Sequence, residues 1–359
     1  MPTRIAILGG FLGAGKTTLL TKLAKTFTDK GKTVALITND QGDVLVDTQY
    51  AKELGIETTE VLKGCFCCKF PDFIDGARKL VDAKRPDIIM AEPVGSCTDL
   101  LATVVAPLKL RFPSEFDVAP LTVLLDSTRI SEGVEEEGSL GAFLRKHQVQ
   151  EAEVIVLTKT DLISKDDKEA LVGVVRDMNP GARVVPYSAV SGEGLAEIAS
   201  LVLSHEKSVK RPVDVDYELY AQAEAELGWY NGTYTFELPS ELDSYDLCSS
   251  IMKTIAQSYQ PGEVAHVKLL FSSPSNALKM SLVLGGLGVD GVRGSRRVKG
   301  KCTLNMNARV VSTPEVLAKV VREAVIGTLK EKGATSIHHK DDCFAPGRPN
   351  PTYRYKNGV

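Results

Sequence analysis

Short apolar runs separated by amphipathic stretches set the rhythm of the first 205 of the 359 residues. Arg4 to Leu8, Thr33 to Thr38, Asp87 to Met90, Leu121 to Leu125 and Val154 to Leu157 are nearly continuous hydrophobic segments of strand length. Runs of that kind suit parallel strands covered on both faces. Between the first two, Leu19, Leu20, Leu23 and Phe27 recur at helical spacing, and Gly31 marks the stop. Strand alternating with helix predicts a doubly wound, mostly parallel α/β sheet over residues 1–205.

The pattern changes after that point. From Ser204 to Leu227 the composition shifts to His, Glu, Lys and alternating acids, and residues 206–228 read as a linker or an exposed helix. Residues 229–335 predict a smaller α+β unit: a strand over Tyr230 to Leu238, a helix over Ser240 to Tyr259, and strands over Val264 to Phe271, Leu278 to Leu284 and Cys302 to Val311. A glycine-rich loop and a basic loop, Arg293 to Lys301, fall between the last two strands. The closing helix has Thr313 as N-cap and Pro314 in its first turn, with Val316, Leu317, Val320, Val321 and Ala324 on the core face and Gly333 after its end. Residues 336–359 read as a polar tail.

Charge and cysteine content narrow the setting. A net charge of -3 with 25% charged residues gives no basic field for nucleic acid or a membrane surface. No apolar run approaches a membrane span, and a core strand starting at residue 4 leaves no room for a signal peptide. Seven cysteines, three of them within residues 65–68, do not form a disulfide framework, which points to a reducing cytoplasm.

The chemistry concentrates at strand ends. Gly10-x4-Gly15-Lys16-Thr17 is a complete phosphate-binding loop set between a strand and a helix. Glycines 10, 13 and 15 let the backbone from Gly10 through Ala14 to Thr18 wrap a polyphosphate, Lys16 reaches its terminal phosphates, and the Thr17 hydroxyl suits Mg2+. Asp40 and Asp43, after the second strand, are expected to hold Mg2+ through water or orient the attacking water. Glu92 and Gly95, in Glu92-Pro93-Val94-Gly95, are expected at the magnesium shell and the third phosphate. In Thr158-Lys159-Thr160-Asp161, a lysine stem can cover a purine and a carboxylate can accept from guanine N1 and N2. Ser188 and Ala189, after a further strand, can offer a backbone N–H to guanine O6. Together these favour GTP over ATP.

Cys65, Cys67 and Cys68 offer soft thiolates to Zn2+, Cu+ or a similar ion. A single cluster predicts an open or exchangeable site. Cys97 follows the Gly95 loop and reads first as a core or helix-start cysteine, with an extra thiolate ligand as the alternative. His338, His339, Asp342 and Cys343 form a second ligand-type cluster, suited to Zn2+, Co2+ or Ni2+.

The set GGFLGAGKTT, EPVG, TKTD and YSA, with GCFCC, resembles the CobW, HypB and UreG group of GTPases, most nearly its CobW-like branch. That resemblance implies GTP hydrolysis with Mg2+, a tendency to form a homodimer, and delivery of a transition metal from Cys65, Cys67 and Cys68 to a client metalloprotein. Reading the chain as a GTP-dependent loader of a corrinoid protein, or as a metal-sensing regulatory GTPase, remains the alternative. Three departures stand out: Thr158 replaces an asparagine, aspartates replace glutamates after Asn39, and PVGSC follows Glu92 in place of a threonine-threonine-glycine run.

Overall fold

The computed structural model describes residues 2–39, 57–61, 64–131, 140–205, 210–283 and 286–356; Asp40 and Asp43 lie outside them. Two compact units emerge. Among the described residues, the first takes those up to Ala223 together with the segment from Arg348 onward, and the second takes those from Glu224 to Gly347.

In the first unit the strands β1 (Thr3–Gly10), β2 (Val34–Asn39), β3 (Glu57–Val61), β4 (Ile88–Glu92), β5 (Phe116–Val118), β6 (Thr122–Asp126), β7 (Val154–Thr158) and β8 (Arg183–Pro186) pair in parallel. Their spatial order is β3-β2-β4-β1-β6-β7-β8, with β5 beside the start of β1. The residues of β2, β4, β6 and β7 are buried throughout, as their unbroken apolar runs require.

The helix α1 (Lys16–Asp29) lays Leu19, Leu20, Leu23, Ala24 and Phe27 against the sheet, where they join Leu8, Leu36, Met90, Leu124 and Val156 in one core. Helices α2 (Phe70–Lys84), α3 (Ala106–Arg111), α4 (Ser127–Ser131), α5 (Leu140–Glu151), α6 (Lys165–Met178), α7 (Leu195–Leu203) and α8 (Tyr217–Ala225) complete the element order up to residue 225. α8 gives helical structure to part of the segment read as a linker.

The chain leaves β1 with β4 on one side and β6 on the other, and ligands bind at such a crevice in open α/β sheets. The register collects the polar strand ends there: Gly10 lies beside Leu124, Thr38 beside Glu92 and Asp126 beside Thr158.

The second unit is a six-stranded sheet in the order β12-β11-β10-β13-β9-β14. Its strands are β9 (Leu227–Asp243), β10 (Val264–Ser273), β11 (Asn276–Val283), β12 (Gly286–Gly294), β13 (Arg297–Val311) and β14 (Thr335–Phe344), all paired antiparallel. Helices α9 (Ser244–Ala256) and α10 (Pro314–Glu331) supply Leu247, Ile251, Leu317 and Val321 to a core shared with Phe271, Leu304 and Met306.

This unit corrects several expectations. The glycine-rich loop is the strand β12, and much of the basic loop is the start of β13, because cross-strand pairing supplies the order that periodicity in a glycine-rich run does not. The helix expected from Ser240 starts at Ser244, where Asp243 accepts hydrogen bonds from the N–H groups of Tyr245 and Asp246. In α10 the core stripe is Leu317, Ala318, Val321, Ala324, Val325 and Leu329, while Val316 is 52% exposed. The first turn points Val316 away, although Thr313 caps the helix as expected by accepting from the Val316 N–H.

The expected polar tail divides. Residues 335–344 form β14 against β9, whereas residues 348–356 pack in the first unit. Within β14, His338 and Asp342 share one side and His339 and Cys343 the other, so these four side chains do not converge on one ion. His339 instead stacks on Tyr234, with ring centroids 5.5 Å apart, and its Nε2 lies 3.4 Å from Asp341. The only group of three or more metal-ligating side chains among the described residues is Cys65, Cys67 and Cys68.

Candidate functional site

The phosphate loop departs from β1 through three glycines with positive φ: Gly10 at 132°, Gly13 at 80° and Gly15 at 89°. Gly10 also meets a packing limit, since a Cβ there would fall 2.4 Å from the Leu124 carbonyl oxygen. The loop therefore turns sharply against β6 and delivers the first turn of α1 to the strand ends. Lys16 is folded over the loop, its Nζ donating to the carbonyls of Gly10 at 2.8 Å and Phe11 at 3.3 Å. The Thr17 hydroxyl donates to the Glu92 carboxylate at 3.0 and 3.1 Å. Helix start and end of β4 thus present a hydroxyl and a carboxylate together, a donor set of the hard-oxygen kind that suits Mg2+. Gly95 packs against the phosphate loop so closely that a Cβ would lie 2.6 Å from a Leu12 methyl.

The residues expected at the base lie at the ends of β7 and β8. Lys159 takes a left-handed conformation, φ 60°, and its Nζ pairs with buried Asp126 at 2.5 Å. Asp161 is exposed beside it. Thr160 donates its N–H to the Tyr187 carbonyl at 3.3 Å and its hydroxyl to Glu193 at 3.0 Å, tying the TKTD turn to the segment after β8. Ser188 is buried and accepts the N–H groups of Val190 and Ser191, which shapes the turn that carries Ala189. Thr158 acts elsewhere: its hydroxyl donates to the Ala14 carbonyl at 2.9 Å, linking β7 to the phosphate loop. The substituted residue is a buried tether for the loop. Asp126 is a functional candidate that motif spacing missed; a carboxylate ending a buried strand was its available signal.

The thiols sit in the turn that runs into α2. Asn39, at the end of β2, fastens this turn by donating to the carbonyls of Val61 at 2.9 Å and Gly64 at 2.7 Å and accepting the Phe66 N–H at 2.9 Å. Phe66 is buried against Phe73 of α2, with ring centroids 4.5 Å apart. The sulfur of Cys67 lies 2.7 Å from that of Cys65 and 3.8 Å from that of Cys68. Cys65 and Cys67 are buried and Cys68 is half-buried.

Hydrogen bonds from Cys67, Cys68 and Cys97 hold the Cys65 thiol well below its ordinary pKa, against the opposing effect of burial. Bonds to Cys65, Cys68 and Cys97, reinforced by burial, push Cys67 well up. Cys68 is raised to about 11, chiefly by its bond to Cys65. One readily formed thiolate flanked by proton-bearing thiols is a sulfur donor set that gives up protons when a soft ion enters.

A strap from the far end of the sequence covers the cluster. The Asn350 N–H donates to the Cys68 sulfur at 3.2 Å, and Thr352 donates its N–H to the Cys67 carbonyl at 2.9 Å and its hydroxyl to the Cys68 carbonyl at 3.2 Å. Tyr353 packs edge-on to Phe70, and Arg354 bonds to buried Asp99 at 2.6 Å. Asp99 also accepts from the Tyr217 hydroxyl at 2.8 Å. No motif announced this strap, because its contacts cross 282 residues of sequence.

Residues 4–186 match the family described as CobW/HypB/UreG, nucleotide-binding domain. A zinc-regulated GTPase metalloprotein activator of Schizosaccharomyces pombe is 27% identical over 208 residues, 56% of this chain and 49% of the relative. A zinc chaperone CobW of Sinorhizobium is 31% identical over 192 residues, covering 46% and 53% respectively. The chain spans about half the length of the curated relatives it matches. Among solved structures, Zn(II)-bound YjiA GTPase from E. coli aligns over 91% of this chain and 99% of its own, at 19% identity and a TM-score of 0.39. No helix among the described residues is long and apolar enough to cross a membrane. With its phosphate loop and a matched span of more than half its length, the chain belongs to the CobW/HypB/UreG family of P-loop GTPases.

Proposed function

We propose that this protein is a GTP-gated metal carrier: it hydrolyses GTP, and the nucleotide state sets how tightly Cys65, Cys67 and Cys68 hold a transition-metal cargo bound for a client metalloprotein. The observation that carries this reading is the clamp by Asn39. One side chain at the phosphate end of β2 holds three points of the cysteine turn, and its neighbour Thr38 lies in register with Glu92. A change at the strand ends that answer to the last phosphate therefore has a direct route to the sulfurs.

On this reading Lys16 would bind the phosphate oxygens, and Thr17 and Glu92 would hold Mg2+, which would supply charge neutralisation at the phosphates. Asp126 positions Lys159 so that its stem lies along the base, and Asp161 accepts from the guanine edge. Asp40 and Asp43 stay proposed as groups that orient water after Asn39. The cargo is taken as Zn2+ or a similar borderline ion, since a thiol-only donor set selects against Mg2+ and Ca2+. The names of relatives, a zinc chaperone and a zinc-regulated activator, point the same way.

A competition titration of Zn2+ against a chromophoric chelator, with GDP and with a non-hydrolysable GTP analogue, tests the reading. Two different affinities are expected, and by linkage Zn2+ must shift the affinity for the analogue by the same factor. Equal Zn2+ affinities in the two nucleotide states would reject the gating.

A further inference from the structure

Three thiolates leave one vertex of a tetrahedral Zn2+ or Co2+ site open. We propose that Cys97 fills it, so that the cargo ion is held jointly by the cysteine turn and by the loop that leaves β4. This deepens the metal-carrier reading and rests on it.

Cys97 is 1% exposed, and its thiol interacts with those of both Cys65 and Cys67. It is not one of the tight group of three, whose sulfurs all lie within 4.8 Å of one another. A tetrahedral ion with metal–sulfur bonds of about 2.3 Å needs sulfur–sulfur edges of about 3.8 Å. The trio has one edge at 3.8 Å and one compressed to 2.7 Å, so an ion entering it must spread Cys65 from Cys67. The one further thiol that interacts with both of them is that of Cys97. Cys248 is the useful contrast: it is equally buried in the second unit, and burial rather than partner thiols dominates its raised pKa.

The place of Cys97 in the chain gives the fourth ligand its purpose. Its N–H donates to the Val94 carbonyl at 2.9 Å, and the Gln148 amide donates to the carbonyls of Gly95 at 3.0 Å and Cys97 at 2.8 Å. Gly95 and Cys97 are thereby held as one piece. Gly95 in turn lies against Leu12 of the phosphate loop, and Glu92 bonds to Thr17. An ion that draws Cys97 toward Cys68 pulls on the loop that meets the third phosphate, and a phosphate that fixes this loop sets how far Cys97 can reach. The thiols not already ionised release their protons to solvent as the ion binds.

The test uses the full-length chain, reduced, kept anaerobic and given one equivalent of Co2+. X-ray absorption is expected to count four sulfur neighbours in the wild type and three with one lighter atom in Cys97→Ser. The Co2+ affinity of Cys97→Ser should fall by at least the roughly 10–100-fold that even an outer-shell partner can cost. The ratio of Co2+ affinities between a GTP analogue and GDP should move toward one. Three sulfurs in the wild type, or four that persist in Cys97→Ser, would overturn the fourth ligand and leave the three-thiol carrier standing. If the wild type takes up no stoichiometric Co2+, both readings fall. Should Cys97→Ser not fold, the wild-type count still decides, with Cys248→Ser, Cys302→Ser and Cys343→Ser each expected to retain four sulfurs.

Discussion

The phosphate loop and the cysteine turn are built by opposite means. The loop is local: its three positive-φ glycines, Lys16 and Thr17 all fall between residues 10 and 17, and its main outside supports are Leu124, Glu92 and Thr158 on neighbouring strands. The cysteine turn is assembled from distant parts, with Asn39 beneath it, Cys97 beside it and Asn350 and Thr352 across it. A fixed anion cradle can be specified by one short motif. On the carrier reading proposed above, a site whose grip changes would draw its clamps from separate segments, and the cysteine turn takes its partners from residues 39, 350 and 352.

The phosphate loop and the cysteine turn part most clearly when one of them is altered alone. Lys16→Ala takes the charge from the phosphate side and is expected to lower GTP turnover by about 100–1,000-fold, the scale of losing one preorganised donor. Without nucleotide, Co2+ uptake by the thiols should match the wild type in absorption titrations. A parallel loss of Co2+ binding would mean that the two regions are one folding unit and not two coupled sites.

Next in size is the strap. Arg354→Ala removes the cation from Asp99, a carboxyl that burial pushes up and the Arg354 and Tyr217 bonds pull down. The expected loss is about 1.5–3 kcal/mol, read as a lower urea midpoint. Alkylation of Cys68 should become faster, since the Asn350 and Thr352 contacts lie on the same segment.

The pH dependence of metal binding sharpens the picture further. Cys67 is raised and Cys68 stands at about 11, so both hold protons at neutral pH in the metal-free protein and lose them to the ion. Each proton displaced weakens binding by about tenfold for every pH unit lowered, so affinity must fall as pH falls and rise as pH rises. These two thiols give a slope of at least about two in a plot of log affinity against pH between about 6 and 8. A flat plot would show that the thiols do not hold the ion.

The smallest effect concerns the tether between the two halves of the nucleotide pocket. Thr158→Val keeps the shape and removes the hydroxyl that reaches the Ala14 carbonyl. A stability loss of about 0.5–1.5 kcal/mol is expected, with weaker nucleotide binding and little change in metal affinity.

What could be seen in the sequence follows the same division between local and distant. The parallel strands announced themselves because burial on both faces leaves unbroken apolar runs, as in β4 and β7. The phosphate loop, Glu92 and the Lys159–Asp161 turn were legible because each is a contiguous pattern at a strand end. β12 was not, since Gly286, Gly288 and Gly291 carry no periodicity and owe their order to pairing with β11. Val316 looked like a core residue because apolar spacing alone does not say which side of a first turn faces the sheet. His338, His339, Asp342 and Cys343 looked like ligands because composition ignores the alternation that a strand imposes. The strap was beyond reach for another reason: a segment of arginines, tyrosines and prolines has no local signal for a partner 282 residues away.

That last distance also has a meaning in time. Ribosomes add about 5–20 residues per second, so Cys68 emerges some 15–60 s before the backbone amide that will cap it. During synthesis the Cys68 sulfur therefore waits for its Asn350 partner, while Asn39, Phe66 and Phe73, which hold the rest of the turn, are made within a few residues of it or before it.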